Sequence, residues 1–117
     1  MGNYRDLEVW KAGQTLAAIT YRVTSQFPSA ERFGLTAQMR RAAVSIVSNI
    51  AEGAGRGTDA QLANFLRIAR GSLRELECQS LLSVELGLST AEAMADLLDA
   101  NERVGKLLHG LIRAVGG

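Results

Sequence analysis

Apolar residues recur at alternating spacings of three and four along four segments of this 117-residue chain. That period commits the segments to helices, because it gathers one stripe of each on a single side. The first segment, about 6–25, carries Val9, Gly13, Leu16, Ile19 and Val23, with Trp10 and Ala17 beside them. The second, 35–52, carries Leu35, Met39, Ala42, Ala43, Ile46 and Ile50. The third, 59–86, presents Leu62, Leu66, Ala69, Leu73, Leu76 and Ser80, and the fourth, 90–115, presents Met94, Leu97, Asn101, Val104, Leu108, Leu111 and Val115. Stripes of this kind pack at shallow crossing angles. Short connections between them predict an all-α, antiparallel up-down-up-down four-helix bundle over a single domain, 1–117.

The breaks between segments carry helix-ending chemistry. Phe27-Pro28-Ser29 ends the first, and Gly53, Gly55 and Gly57 are expected to close the second through the left-handed conformation open to glycine. Thr58-x-x-Gln61 and Ser89-x-x-Glu92 read as capping boxes opening the third and fourth helices, with Gly87 between them as a helix end. Aromatics are only 5% of the residues and proline occurs once, so the composition disfavours a sheet.

Seven apolar residues fall outside the stripes: Val44, Val47, Ile68, Leu81, Leu82, Leu98 and Leu107. A bundle this small cannot cover all of them, so the chain is expected to self-associate. No apolar run approaches the roughly 20 residues of a membrane span, and MGNYRDLEVW has no signal-peptide core. The expected compartment is the cytoplasm, with no membrane partner.

The net charge is +1, but it is unevenly spread. Residues 32–74 hold seven arginines against Glu52 and Asp59, whereas 75–102 hold seven acids and no base. Arg67, Arg70 and Arg74 fall on one stripe of the third helix, and Arg40 and Arg41 lie on the helix before it. These five arginines are the candidate surface for an anionic partner. The competing expectation is that the acids at Glu75, Glu77, Glu85 and Asp96 neutralise them within or between subunits.

Residue types that carry catalysis are sparse. Cys78 is the one cysteine, which excludes an internal disulfide or a multi-thiolate metal site, and it is expected to be a buried small hydrophobe. His109, the one histidine, follows Lys106 at the position where a metal-binding bundle would need Glu-x-x-His. Gly53-Ala54-Gly55-Arg56-Gly57 follows a helix rather than a strand and lacks Gly-Lys-Ser/Thr, so helix capping explains it better than phosphate binding. Glu52 sits at the negative end of a helix dipole and should have a basic partner, Arg56 or Arg70. Gly71, in mid-helix at a cost of about 1 kcal/mol relative to alanine, is expected to mark close packing against Ala42, Ala43 or Ser45. No catalytic set, metal site, cofactor site or small-molecule substrate is expected.

The stretch from Asp6-Leu7-Glu8-Val9-Trp10 through FPSAERFGLTAQMRRAAVSIVSNIAEGAGRG to FLRIARGSLRELE resembles the 23S rRNA intervening-sequence protein family, whose members are also called four-helix-bundle proteins. Its densest parts are Arg40-Arg41-Ala42-Ala43-Val44-Ser45-Ile46, Asn49-Ile50-Ala51-Glu52-Gly53 with Arg56, and Ala69-Arg70-Gly71-Ser72-Leu73. The resemblance implies a four-helix bundle assembled into a ring-like homopentamer. Relatives that accompany diversity-generating retroelements bind a reverse transcriptase and nucleic acid through basic surfaces. Many relatives have proline where this chain has Val47, so a kink there should be reduced.

Taken with the resemblance, the residues predict a non-enzymatic oligomeric scaffold or adaptor, with RNA or a reverse transcriptase as partner. The alternative is a purely structural self-assembling protein. Asn49, Glu52, Gly53, Arg56 and Gly71 are expected to form a structural lock rather than a catalytic centre.

Overall fold

The computed structural model describes residues 3–116. A 3-10 turn at Tyr4–Asp6 leads into α1 (Glu8–Thr24), and a second at Ser29–Glu31 precedes α2 (Leu35–Ala54). α3 (Asp59–Glu85) and α4 (Ala91–Gly116) follow, and there is no strand among the described residues. α1 and α3 each pack against both α2 and α4, while the diagonal pairs do not meet, so the helices form a closed circuit of four. The resulting body measures 43 × 22 × 20 Å. None of the described helices is long and apolar enough to cross a membrane.

Most of the stripe residues read from the spacing are in the core, joined by Ala12, Phe27 and Ala63, with corrections in α1 and α4. In α1, Thr20 and Thr24 are buried where Ile19 was expected, and Ile19 is only half-buried. Both threonine hydroxyls donate back along the helix, to Leu16 O at 2.8 Å and Thr20 O at 2.7 Å, so neither enters the core unsatisfied. In α4 the buried residue after Leu108 is Ile112, while Leu111 and Val115 pack at the margin. A helix of 3.6 residues per turn drifts away from a strict heptad, and four-residue steps correct the drift. Asn101 is buried within this otherwise aliphatic seam, and its Nδ2 donates to Leu73 O of α3 at 3.2 Å.

Helix ends follow from local chemistry. Thr58 Oγ1 accepts from Gln61 N at 3.2 Å, as the first capping box requires. The second cap lies one residue later than expected: Thr90 Oγ1 accepts from Ala93 N at 3.0 Å. Ser89 is tied into the closing turn of α3, its N–H directed at Ser83 O alongside that of Leu88. Gly87, at φ +75, makes that Schellman turn possible.

Of the three glycines expected to close α2, only Gly57 is left-handed, at φ +91. Gly53 instead lies buried inside α2, facing α3. A Cβ there would stand 2.7 Å from Phe65 Cβ and 3.2 Å from Leu62 Cδ1. The absence of a side chain is what lets α2 and α3 approach at this level. α2 runs through Val47 without a break, and Val47 packs over Gly13 of α1, its Cγ1 2.9 Å from where a Cβ would stand.

Candidate functional site

The five candidate arginines do not form one surface. Arg40 lies at the α1/α2 seam, where its Nε donates to Thr24 Oγ1 at 2.9 Å and its guanidinium stacks 4.5 Å from the Tyr21 ring centroid. It thereby places a positive charge at the carbonyl end of α1, where the helix dipole favours one. Arg41 lines a cleft on the α2/α3 side with Gln38, Ser45, Ser72, Glu75 and Gln79. Arg67, Arg70 and Arg74 share the α3/α4 side, along a groove of about 1050 Å³. The single stripe is thus confined to the α3 arginines, because consecutive residues on α2 point about 100° apart.

That groove is mixed in charge. Lys106 adds a fourth cation and His109 reaches its edge, but Glu77, Asp99 and Glu102 line the same walls. Arg74 pairs with Glu77 at 3.6 Å and Lys106 with Glu102 at 3.6 Å. Both pairs are exposed, a setting in which ion pairs contribute little. Arg67 and Arg70 form no ion pair among the described residues. Of the four acids expected to neutralise the stripe, only Glu77 does so among the described residues; Asp96 pairs with Arg22 at 3.6 Å.

The motif residues divide in two. Glu52 takes Arg56 as its partner at 3.4 Å, and the Arg56 guanidinium lies 4.9 Å from the Phe65 centroid, over the aromatic that packs on Gly53. This clasp joins the end of α2 to α3. Asn49 is not part of it: its Nδ2 donates to Ser45 O at 2.8 Å and Ser45 Oγ at 3.0 Å. With one lone pair so engaged, the Ser45 hydroxyl is free to donate to Ser72 Oγ, 2.8 Å away on α3.

Gly71 departs from its expected role. It is exposed, and a Cβ there would meet nothing within 4 Å. The neighbour that contacts Ser45 is Ser72, one position on, whereas Gly71 borders the α3/α4 groove. Cys78 is likewise exposed rather than buried, on the outer side of α3.

These positions include the densest stretches of the family resemblance. The family model for the 23S rRNA-intervening sequence protein matches residues 5–110. The chain belongs to that family. Comparison with curated proteins returned no match. In this 23S rRNA-intervening sequence protein, Gly53 and the Arg56–Phe65 stack bring the end of α2 against α3, whereas the bonds of Asn49 and Glu52 stay within α2 and the turn that follows it.

Sequence reasoning missed the α2/α3 cleft and the stacking of Arg56 on Phe65 and Arg40 on Tyr21. The first stack joins the turn after α2 to α3 and the second joins α2 to α1, so no spacing along one helix reports them. Of the seven surplus apolar residues, Val47, Leu98 and Leu107 are partly buried in the chain's own packing, and Val44, Ile68, Leu81 and Leu82 remain exposed. Leu86, at 59% exposure, joins them.

Proposed function

We propose that this family member is a non-enzymatic assembly protein of the cytoplasm: an antiparallel up-down-up-down bundle that closes into a ring-like homo-oligomer and acts as a scaffold or adaptor. The antiparallel course is supported by interhelical contacts that run in opposite chain directions. Ser45 meets Ser72, while the later Gly53 meets the earlier Leu62 and Phe65. Gly13 of α1 lies under Val47, while the later Thr24 meets the earlier Arg40. Leu73 lies beside Gly105, while the earlier Ala63 lies beside the later Gly116.

Self-association rests on one observation, the five large aliphatic side chains left exposed on α2, on α3 and at the C-terminal cap of α3. Covering them with a second copy removes apolar surface from water, the main favourable term in association. The family resemblance makes the expected size a pentamer. Light scattering at micromolar concentration should give a mass five times that of the chain, and a monomer there overturns the proposal.

As an adaptor, the protein would present the α3/α4 groove to RNA or to a nucleic-acid enzyme such as a reverse transcriptase. Arg67 and Arg70 supply cations with no acid partner among the described residues, and repetition around a ring multiplies them. RNA affinity of the oligomer should fall steeply with salt. An Arg67→Ala, Arg70→Ala, Arg74→Ala variant should lose about one unit of salt slope per phosphate contact removed. The second reading, a purely structural assembly, is favoured by the three acids on the same groove walls. Absence of RNA binding by the parent protein at low salt would select it.

A further inference from the structure

We infer that the α2/α3 side of one copy docks on the α1/α4 side of the next, so that copies join head to tail. This rests on the self-association proposed above and assigns its two faces. In a closed circuit of four helices these sides lie on opposite faces of the bundle.

The α2/α3 side has an incomplete polar centre. Its cleft, about 330 Å³, is lined by Gln38, Arg41, Ser45, Ser72, Glu75 and Gln79. Gln79 is only 8% exposed, and its Oε1 is buried without a hydrogen-bond donor. A buried carbonyl oxygen left without a donor is costly, and native folds seldom keep one. Around this centre lie aliphatic residues. Ile68 and Leu82 fall seven positions before and after Glu75, on its stripe of α3, and are 47% and 44% exposed. Val44, 43% exposed, follows Arg41 by three on α2. A buried acceptor bordered by open aliphatic side chains is the pattern of a contact whose other half is missing.

The α1/α4 side carries a matching hollow. A groove of about 360 Å³ between the start of α1 and the last part of α4 is walled by Leu7, Val9, Leu107, Leu111 and Ala114. Glu8 and Lys106 line it as well, with charges opposite to those of Arg41 and Glu75 in the cleft, and Lys106, held only by an exposed pair with Glu102, brings N–H donors of the kind that Gln79 lacks. The occupant of each side is therefore a second copy of this chain. Because the projecting aliphatic side and the hollow side differ, the contact is heterologous, the class that closes into a ring where the rotation between copies permits and otherwise continues as a filament, rather than an isologous dimer.

Two variants at exposed positions test this without touching the core. Ile68→Glu with Leu82→Glu blocks the α2/α3 side, and Gly110→Glu with Ala114→Glu blocks the α1/α4 side. Each should weaken assembly roughly tenfold or more, as loss of a central contact does, and behave as a monomer with an unchanged helical circular-dichroism spectrum. Mixed in equal amounts they should form a heterodimer and nothing larger, because one intact pair of sides remains. Parent-sized assembly by either variant, or a mixture that stays monomeric, overturns the assignment of faces while self-association stands. A monomeric parent protein overturns self-association itself. Gln79→Met gives an independent measurement: it should raise Tm in the monomeric Ile68→Glu/Leu82→Glu background and weaken assembly of the parent. Unchanged parent assembly would mean that solvent alone satisfies Gln79, against the inferred contact.

Discussion

Gly53→Ala is expected to destabilise the fold by roughly 1–3 kcal/mol, the usual cost of forcing a methyl group into a filled interface. The added carbon would stand 2.7 Å from Phe65 Cβ, an atom fixed to the α3 backbone that cannot rotate away. Relief requires α2 and α3 to separate, which also pulls Phe65 from under Arg56. Alanine's better helix propensity, about 1 kcal/mol, only partly offsets this. Gly71→Ala is the internal control. It gains the same propensity with nothing to strike, and should stabilise by up to about 1 kcal/mol. Denaturant unfolding of both variants should move the midpoints in opposite directions, and a shift of the same sign at both positions would contradict the placement of the two glycines.

Leu66→Ala should have a still larger effect, a loss of about 2–5 kcal/mol. Leu66 is fully buried and sits one position beyond Phe65, in the same turn of α3 that closes on Gly53. Removing its side chain leaves a void in a packed core that relaxes only in part. Against a typical total of about 5–15 kcal/mol, the loss brings the chain near its unfolding threshold, and thermal melting should show it as a fall in Tm well beyond that of Leu→Ala variants at the exposed positions of α3. A fall smaller than that for the less buried Leu82→Ala would count against the assigned core.

The two glycines show how far the amino-acid order can be read without coordinates. Spacing identified which faces of α2 and α3 are buried, because periodicity alone decides that. It could not say at which level the backbones come closest. The cost of a mid-helix glycine points to close approach at Gly71, whereas Gly53 in the sequence is indistinguishable from the rest of a glycine-rich stop. The distinction depends on the facing residue, Phe65, whose match to Gly53 is set by the axial offset of two helices. The same limit explains the arginines. Arg40 and Arg41 are neighbours in the chain yet serve different helix pairs, Tyr21 and Thr24 on one side and the Glu75 cleft on the other. Cys78 was misjudged because residue type outweighed position: cysteines are commonly buried, but here the outer side of α3 passes through residue 78.

Asn101 carries a further consequence, for the alignment of α3 and α4. An aliphatic seam tolerates sliding by one turn, since one leucine replaces another at little cost. The Asn101 amide does not, because its acceptor is the carbonyl of one residue, Leu73. Displacing α4 by a turn, about 5.4 Å, would break that bond, and an amide left buried without an acceptor costs about 1–3 kcal/mol. A single polar residue therefore penalises the shifted and strand-exchanged pairings that a repetitive pattern of leucine and alanine would otherwise permit, and helps to select one pairing while the chain folds.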